Sequence, residues 1–126
     1  HSRGSLGKIF SDNVEIIYNS KCCITGISTR SILNSSHISP WSDDIENRGN
    51  ERNGLLLSLI FHKCFDKGLI SIDHDYKVLI SKNIKDESLK LYLKSFEGKK
   101  ITLPVRKEFY PDKNLLKKHR EKIFKS

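Results

Sequence analysis

The sequence predicts one α+β domain, on three observations. Its 126 residues match the size of a single domain, and 37% are hydrophobic against 30% charged, enough apolar material for one modest core. Several short apolar runs bounded by Gly, Pro, Asn or Asp have the length of strands. Other segments, including those near both ends, repeat their apolar residues at helical spacing.

Taken in order, Phe10 to Ser20 carries Phe10, Val14, Ile17 and Tyr18 on a helical period, with Ser11 and Asp12 as capping material. Cys22 to Thr25 is apolar, Gly26 to Arg30 turn-like and Ser31 to His37 extended, which predicts a β-hairpin delivering His37 at its far end. Residues 39–52 hold Pro40, Gly49 and a mixed-charge run, and read as a loop. Asn53-Gly54 then opens a leucine-rich strand that passes into a short helix bearing His62, Cys64, Phe65 and Asp66, stopped by Gly68. Leu69 to Asp73 and Lys77 to Ser81 bracket an additional β-hairpin.

Asp86 to Phe96 places Leu89, Leu93 and Phe96 on one helical face, and residues 101–105 are short and extended. Asn114 to Phe124 predicts a closing helix with Leu115, Leu116, Ile123 and Phe124 inward and Lys117, Lys118, His119, Arg120 and Lys122 outward. Residues 1–5 (His-Ser-Arg-Gly-Ser) look like an expression-tag remnant, so the domain is expected to span 6–126.

Charge and cysteine usage narrow the partners. A formal net charge of +8 on so small a chain favours a polyanion, with DNA or RNA first, although a basic surface also serves solubility or an acidic protein partner. Cys22, Cys23 and Cys64 are an odd number without zinc or disulfide spacing, so they are expected as buried thiols in a reducing compartment. No apolar run reaches the ~20 residues of a membrane span, and no membrane partner is expected.

Three polar residues stand out. On a helix, His62 and Asp66 are one turn apart on the same face, where an imidazole and a carboxylate form half of a shell for a divalent cation or simply hydrogen-bond to each other. His37 ends a strand beside Pro40; a neutral imidazole there can accept a proton from water at physiological pH, or be an ordinary loop histidine. Asn53, in Asn-Gly, is by itself a turn residue.

In order, Cys22-Cys23-Ile24-Thr25-Gly26, Ser36-His37-Ile38-x-Pro40, Asn53-Gly54-Leu55-x-Leu57 and His62-x-x-Phe65-Asp66-x-Gly68-Leu69 resemble the HNH endonuclease family. The likeness is greatest to the branch found as cleavage domains of bacterial restriction and anti-phage enzymes. Gly7-x-x-Phe10 and His119 to Phe124 extend it over nearly the whole chain.

The resemblance implies a ββα-metal (HNH) core with flanking helices, gripping one divalent ion, Mg²⁺ first and Mn²⁺, Ni²⁺ or Zn²⁺ as alternatives. It implies His37 as general base, Asn53 as the brace of the loop, His62 as a metal ligand and Asp66 as a further ligand. Ser36 occupies a position where many members carry Asp or His as a ligand; a hydroxyl is a poor substitute on Mg²⁺, and Asp43 or Asp44 could serve instead. The implied reaction is hydrolysis of DNA phosphodiesters to 5′-phosphate and 3′-hydroxyl ends, in a bacterial cytoplasm.

Arg30, Arg48, Arg52, Lys63 and Lys67 flank the expected site and are candidates for the scissile strand, with Lys117, Lys118 and Arg120 further out. Nothing resembles a recognition helix or zinc finger. Double-stranded DNA is the expected partner, with target choice left to an upstream specificity domain or a homodimer. A non-catalytic basic nucleic-acid-binding module, and a toxin-like domain with an acidic protein partner, are the rival classes.

Overall fold

The structure is a computed structural model that describes residues 2–126. Helices α1 (Ser2–Ile17), α2 (Leu59–Asp66), α3 (Glu87–Lys94) and α4 (Lys113–Lys122) surround two antiparallel pairs, β1 (Leu33–His37) with β2 (Gly54–Ser58) and β3 (Ile70–Ile72) with β4 (Val78–Ile80). The order β1-β2-α2 is the ββα unit, and the fold is α+β as the patterning predicts.

Helix α1 runs through Ser2 to Ser5, while His1 of the expected remnant lies outside the described residues. It also ends earlier than Ser20, because Asn19 and Ser20 both take φ of 55° and turn the chain away. Phe10, Val14 and Tyr18 form its buried stripe.

The first expected hairpin is wrong in its partner. β1 pairs with β2 in the register Leu33↔Ser58 through His37↔Gly54, and Cys22–Thr25 does not join it as a strand. That stretch is a turn: the Gly26 N–H donates to the Cys22 carbonyl, and the Thr25 N–H to Cys22 Sγ. Cys23 donates instead to the Leu56 carbonyl, tying the turn to the back of β2. With Cys22–Thr25 closed on itself, Gly54–Ser58, buried throughout, pairs along all five residues of β1.

Gly54 is required where α1 crosses β2. A Cβ there would lie 2.4 Å from Val14 Cγ2 and 2.9 Å from the Phe10 ring. After α2 the chain turns at Gly68, with φ of 74° and a would-be Cβ 2.0 Å from the Ile123 carbonyl oxygen. The C-terminal strap therefore seals this turn, and the Lys125 N–H donates to the Gly68 carbonyl.

The second hairpin forms as expected, with Ile70↔Ile80 and Ile72↔Val78, and Asp86 and Asp112 cap α3 and α4 through their carboxylates. Two expectations for α4 fail: it ends at Lys122, so Ile123 and Phe124 lie beyond it and only half-buried, and His119 is buried rather than outward. It lies four residues after Leu115 and three after Leu116, so it shares their face. All three cysteines are buried free thiols, as expected.

Candidate active site

The end of β1, the loop at 39–52 and α2 enclose a cleft of about 300 Å³ whose walls include His37, Trp41, His62, Phe65, Asp66 and His119. The ββα unit creates it directly. β1 ends at His37, β2 returns through the buried centre, and α2 starts at once after Ser58, carrying His62 and Asp66 back beside β1.

His37 is half-buried and tightly framed. Its ring stacks on Phe10 at 3.8 Å between centroids and meets the Trp41 edge at 5.8 Å. Its Nε2 lies 2.9 Å from the Arg48 carbonyl oxygen. A carbonyl can only accept, so Nε2 carries the proton and Nδ1 holds the basic lone pair.

The loop that supplies this carbonyl is braced from within. Asn53 is fully buried; its Oδ1 accepts from the Ser39 N–H at 2.8 Å, and its Nδ2 donates to the Ser39 and Asn47 carbonyls at 3.1 Å each. The Arg48 guanidinium packs 4.7 Å over the Trp41 ring and donates from Nε to the Trp41 carbonyl. Lys118 reaches from α4 to Ser39 Oγ at 3.0 Å and Asp44 at 3.8 Å.

His62 presents two nitrogens to two different partners. Nδ1 lies 2.5 Å from Ser36 Oγ, and Nε2 lies 3.5 Å from Asp66 Oδ2. Ser36 is fully buried, whereas Asp66 is exposed at the rim. Among the described residues no group of three or more His, Cys, Asp or Glu gathers as a metal site.

The protein thus offers one imidazole nitrogen and one carboxylate. That pair fits a divalent cation that keeps several waters and takes further oxygens from a substrate phosphate. Asp44 is engaged elsewhere: burial pushes its carboxyl pKa up, but hydrogen bonds from Asn47 and Ser39 and the nearby Lys118 charge outweigh this and lower it. Asp43 takes a hydrogen bond from Ser42, and neither aspartate lines the cleft.

The basic candidates divide into two sets. Arg30 grips Glu15 with two hydrogen bonds, Arg52 donates to the Tyr110 carbonyl and pairs with Asp112 at 3.6 Å, and Arg120 donates to the Ile72 carbonyl. With Arg48 and Lys118, these tie elements of the fold together. Lys63, Lys67 and Lys117 are exposed.

Sequence reading missed His119 in the cleft wall. Its ring stacks on Phe65 at 3.7 Å, Nε2 donates to the Phe65 carbonyl and the Ser71 hydroxyl meets Nδ1 at 2.7 Å. Burial lowers its pKa to about 4, helped by the Arg120 charge and opposed by the Phe65 carbonyl. Its spacing from Leu115 and Leu116 was the available signal.

A strand-ending histidine, an asparagine-braced loop and a helix-borne His–Asp pair thus come together on one ββα unit. Residues 22–73, which contain Ser36, His37, Asn53, His62 and Asp66, match the family model of the HNH endonuclease. The segment that carries the site is therefore similar to HNH endonucleases. No curated protein matches it in sequence. Among solved structures, a modification-dependent TagI restriction endonuclease is similar over 90% of this chain, with a TM-score of 0.61 and 21% identity. The chain spans 37% of that protein's length.

Proposed function

We propose that the chain, as a domain over residues 6–126, is the DNA-cleaving module of a restriction or anti-phage enzyme, with His37 as general base and one divalent cation on His62 and Asp66. The observation that carries this reading is the common cleft: His37, His62 and Asp66 line the same 300 Å³ space although a loop and strand β2 separate His37 from the other two in sequence.

The chemistry follows from where protons and charges sit. His37 Nδ1 accepts a proton from the attacking water, and the imidazolium that forms keeps its Nε2–H on the Arg48 carbonyl. Phe10 and Trp41 hold the ring plane, so little reorganisation accompanies the proton transfer. Asn53 keeps the loop, and with it the Arg48 carbonyl, in place. A bound divalent ion, Mg²⁺ or a transition ion such as Mn²⁺, Ni²⁺ or Zn²⁺, supplies Lewis-acid stabilisation to the phosphorane and the departing 3′ oxygen.

Of the expected phosphate contacts, Lys63, Lys67 and Lys117 are exposed; Lys63 and Lys67 lie on another face of α2 from the cleft, beside Leu59 and Ile60, and would hold the backbone of double-stranded DNA away from the scissile bond. Phosphate contacts carry no sequence information, so target choice falls to another domain or a second copy. The similar solved structure is a modification-dependent enzyme far longer than this chain, which supports a separate specificity domain. Three buried free thiols fit a reducing bacterial cytoplasm, and no described helix is long and apolar enough to cross a membrane.

The test is plasmid cleavage with purified protein in Mg²⁺ or Mn²⁺, followed with and without EDTA. Cleavage that stops in chelator is expected; undiminished cleavage in chelator overturns the single-metal scheme. DNA binding without cleavage under any divalent ion would favour a non-catalytic binding module.

A further inference from the structure

Ser36 stands where the family resemblance leads one to expect a metal ligand, yet its hydroxyl points elsewhere. It lies 2.5 Å from His62 Nδ1, while the Asp66 carboxylate faces Nε2. These nitrogens project from different edges of the ring, so a cation on Nε2 and Asp66 sits beyond coordination reach of Ser36.

The hydroxyl's place is fixed by the strand. Ser36 pairs with Leu55 in the β1–β2 register, alternates with Ser35 and His37, and is fully buried against α2. It therefore faces the His62 ring from the strand side.

Resting on the metal-pair reading above, we propose that Ser36 is a positioning residue whose hydroxyl serves both tautomers of His62 and so lets the ring exchange them with metal occupancy. Without a cation, the Ser36 O–H donates to Nδ1 and the Nε2–H faces Asp66. With a cation on Nε2, the proton resides on Nδ1 and is donated to Ser36 Oγ. One proton leaves Nε2 to solvent and one is taken up at Nδ1, so the exchange balances without a net proton.

Serine suits this exchange for a plain chemical reason. A hydroxyl can donate or accept, whereas an ionised carboxylate only accepts. Aspartate at this position would hold the proton on Nδ1 permanently. Serine instead gives the metal-free site a complete set of hydrogen bonds and still orients the imidazole for coordination, the service that groups behind metal-bound histidines provide.

The test reads imidazole ¹⁵N shifts of the labelled full chain, metal-free and titrated with diamagnetic Zn²⁺, beside calorimetry of Zn²⁺ binding. Wild type is expected to carry the His62 proton on Nε2 without metal and on Nδ1 with it. Ser36→Asp is expected to carry it on Nδ1 already without metal, and Ser36→Ala to bind Zn²⁺ about tenfold more weakly.

A wild-type ring that carries its proton on Nδ1 in both states overturns the exchange, as does unchanged Zn²⁺ affinity in Ser36→Ala. The wild-type comparison needs no variant to fold. Failure of Zn²⁺ to bind at all, with the expected metal-free tautomers, would sink the metal reading while leaving the hydrogen bond to Ser36 intact. Tight binding without a tautomer change would do the reverse.

Discussion

His37 Nε2 donates to the Arg48 carbonyl at 2.9 Å, joining the end of β1 to a loop residue eleven positions away. The bond settles which nitrogen is basic. It also makes the loop part of the base, because Arg48 is itself held by Trp41 and its neighbour Asn47 by Asn53. Under the proposed mechanism, loop order and proton abstraction are therefore linked.

His37→Ala removes the proposed base without touching the exposed lysines. We expect the cleavage rate to fall by about 10²–10⁴-fold while DNA affinity stays within experimental error. Single-turnover plasmid nicking beside fluorescence anisotropy checks both halves.

Asn53→Ala strands the Ser39 N–H and the Ser39 and Asn47 carbonyls in a buried setting. A stability loss of roughly 3 kcal/mol is expected, with a lower cleavage rate at temperatures where the variant remains folded. Urea denaturation and rate measurement on the same sample separate the two effects.

The basic residues should divide by their contacts. Lys63→Ala, Lys67→Ala and Lys117→Ala are each expected to reduce the slope of log affinity against log salt by about 1. Arg52→Ala and Arg120→Ala remove bonds to the Tyr110 and Ile72 carbonyls, so their larger effect is expected in thermal melting. Salt titrations and melting curves of all five distinguish the sets.

His119 makes stability depend on acid. The unfolded chain takes up a proton near the ordinary histidine value of 6.5, whereas the buried, folded ring waits until about 4. Between these pH values the unfolded state binds more protons, so stability falls as pH drops through the window and is level above it. The loss is of order 3 kcal/mol at most. Denaturation curves from pH 7 to 4 should show a steeper decline in wild type than in His119→Gln.

Much of the fold was legible because its cues were local. Gly68 stopped α2, and the short strands at 70–72 and 78–80 flanked a turn. The partner of β1 was not legible, since Leu33–His37 pairs across a loop and no local pattern distinguishes Gly54–Ser58 from the nearer Cys22–Thr25. His37, His62 and Asp66 were named from order and spacing, but their framing by Phe10, Trp41 and the Arg48 carbonyl arises from contacts between distant segments. The hydroxyl of Ser36 could be noticed in the sequence as a departure; its hold on His62 required the strand register.

The central claim is that a single divalent ion sits on His62 and Asp66 in the cleft that holds His37. Crystals grown with Mn²⁺ and measured for anomalous scattering test it most directly. The account predicts one strong peak within coordination distance of His62 Nε2 and the Asp66 carboxylate, on the side facing His37. A peak bound elsewhere, or a clear map with none at saturating Mn²⁺, would contradict it.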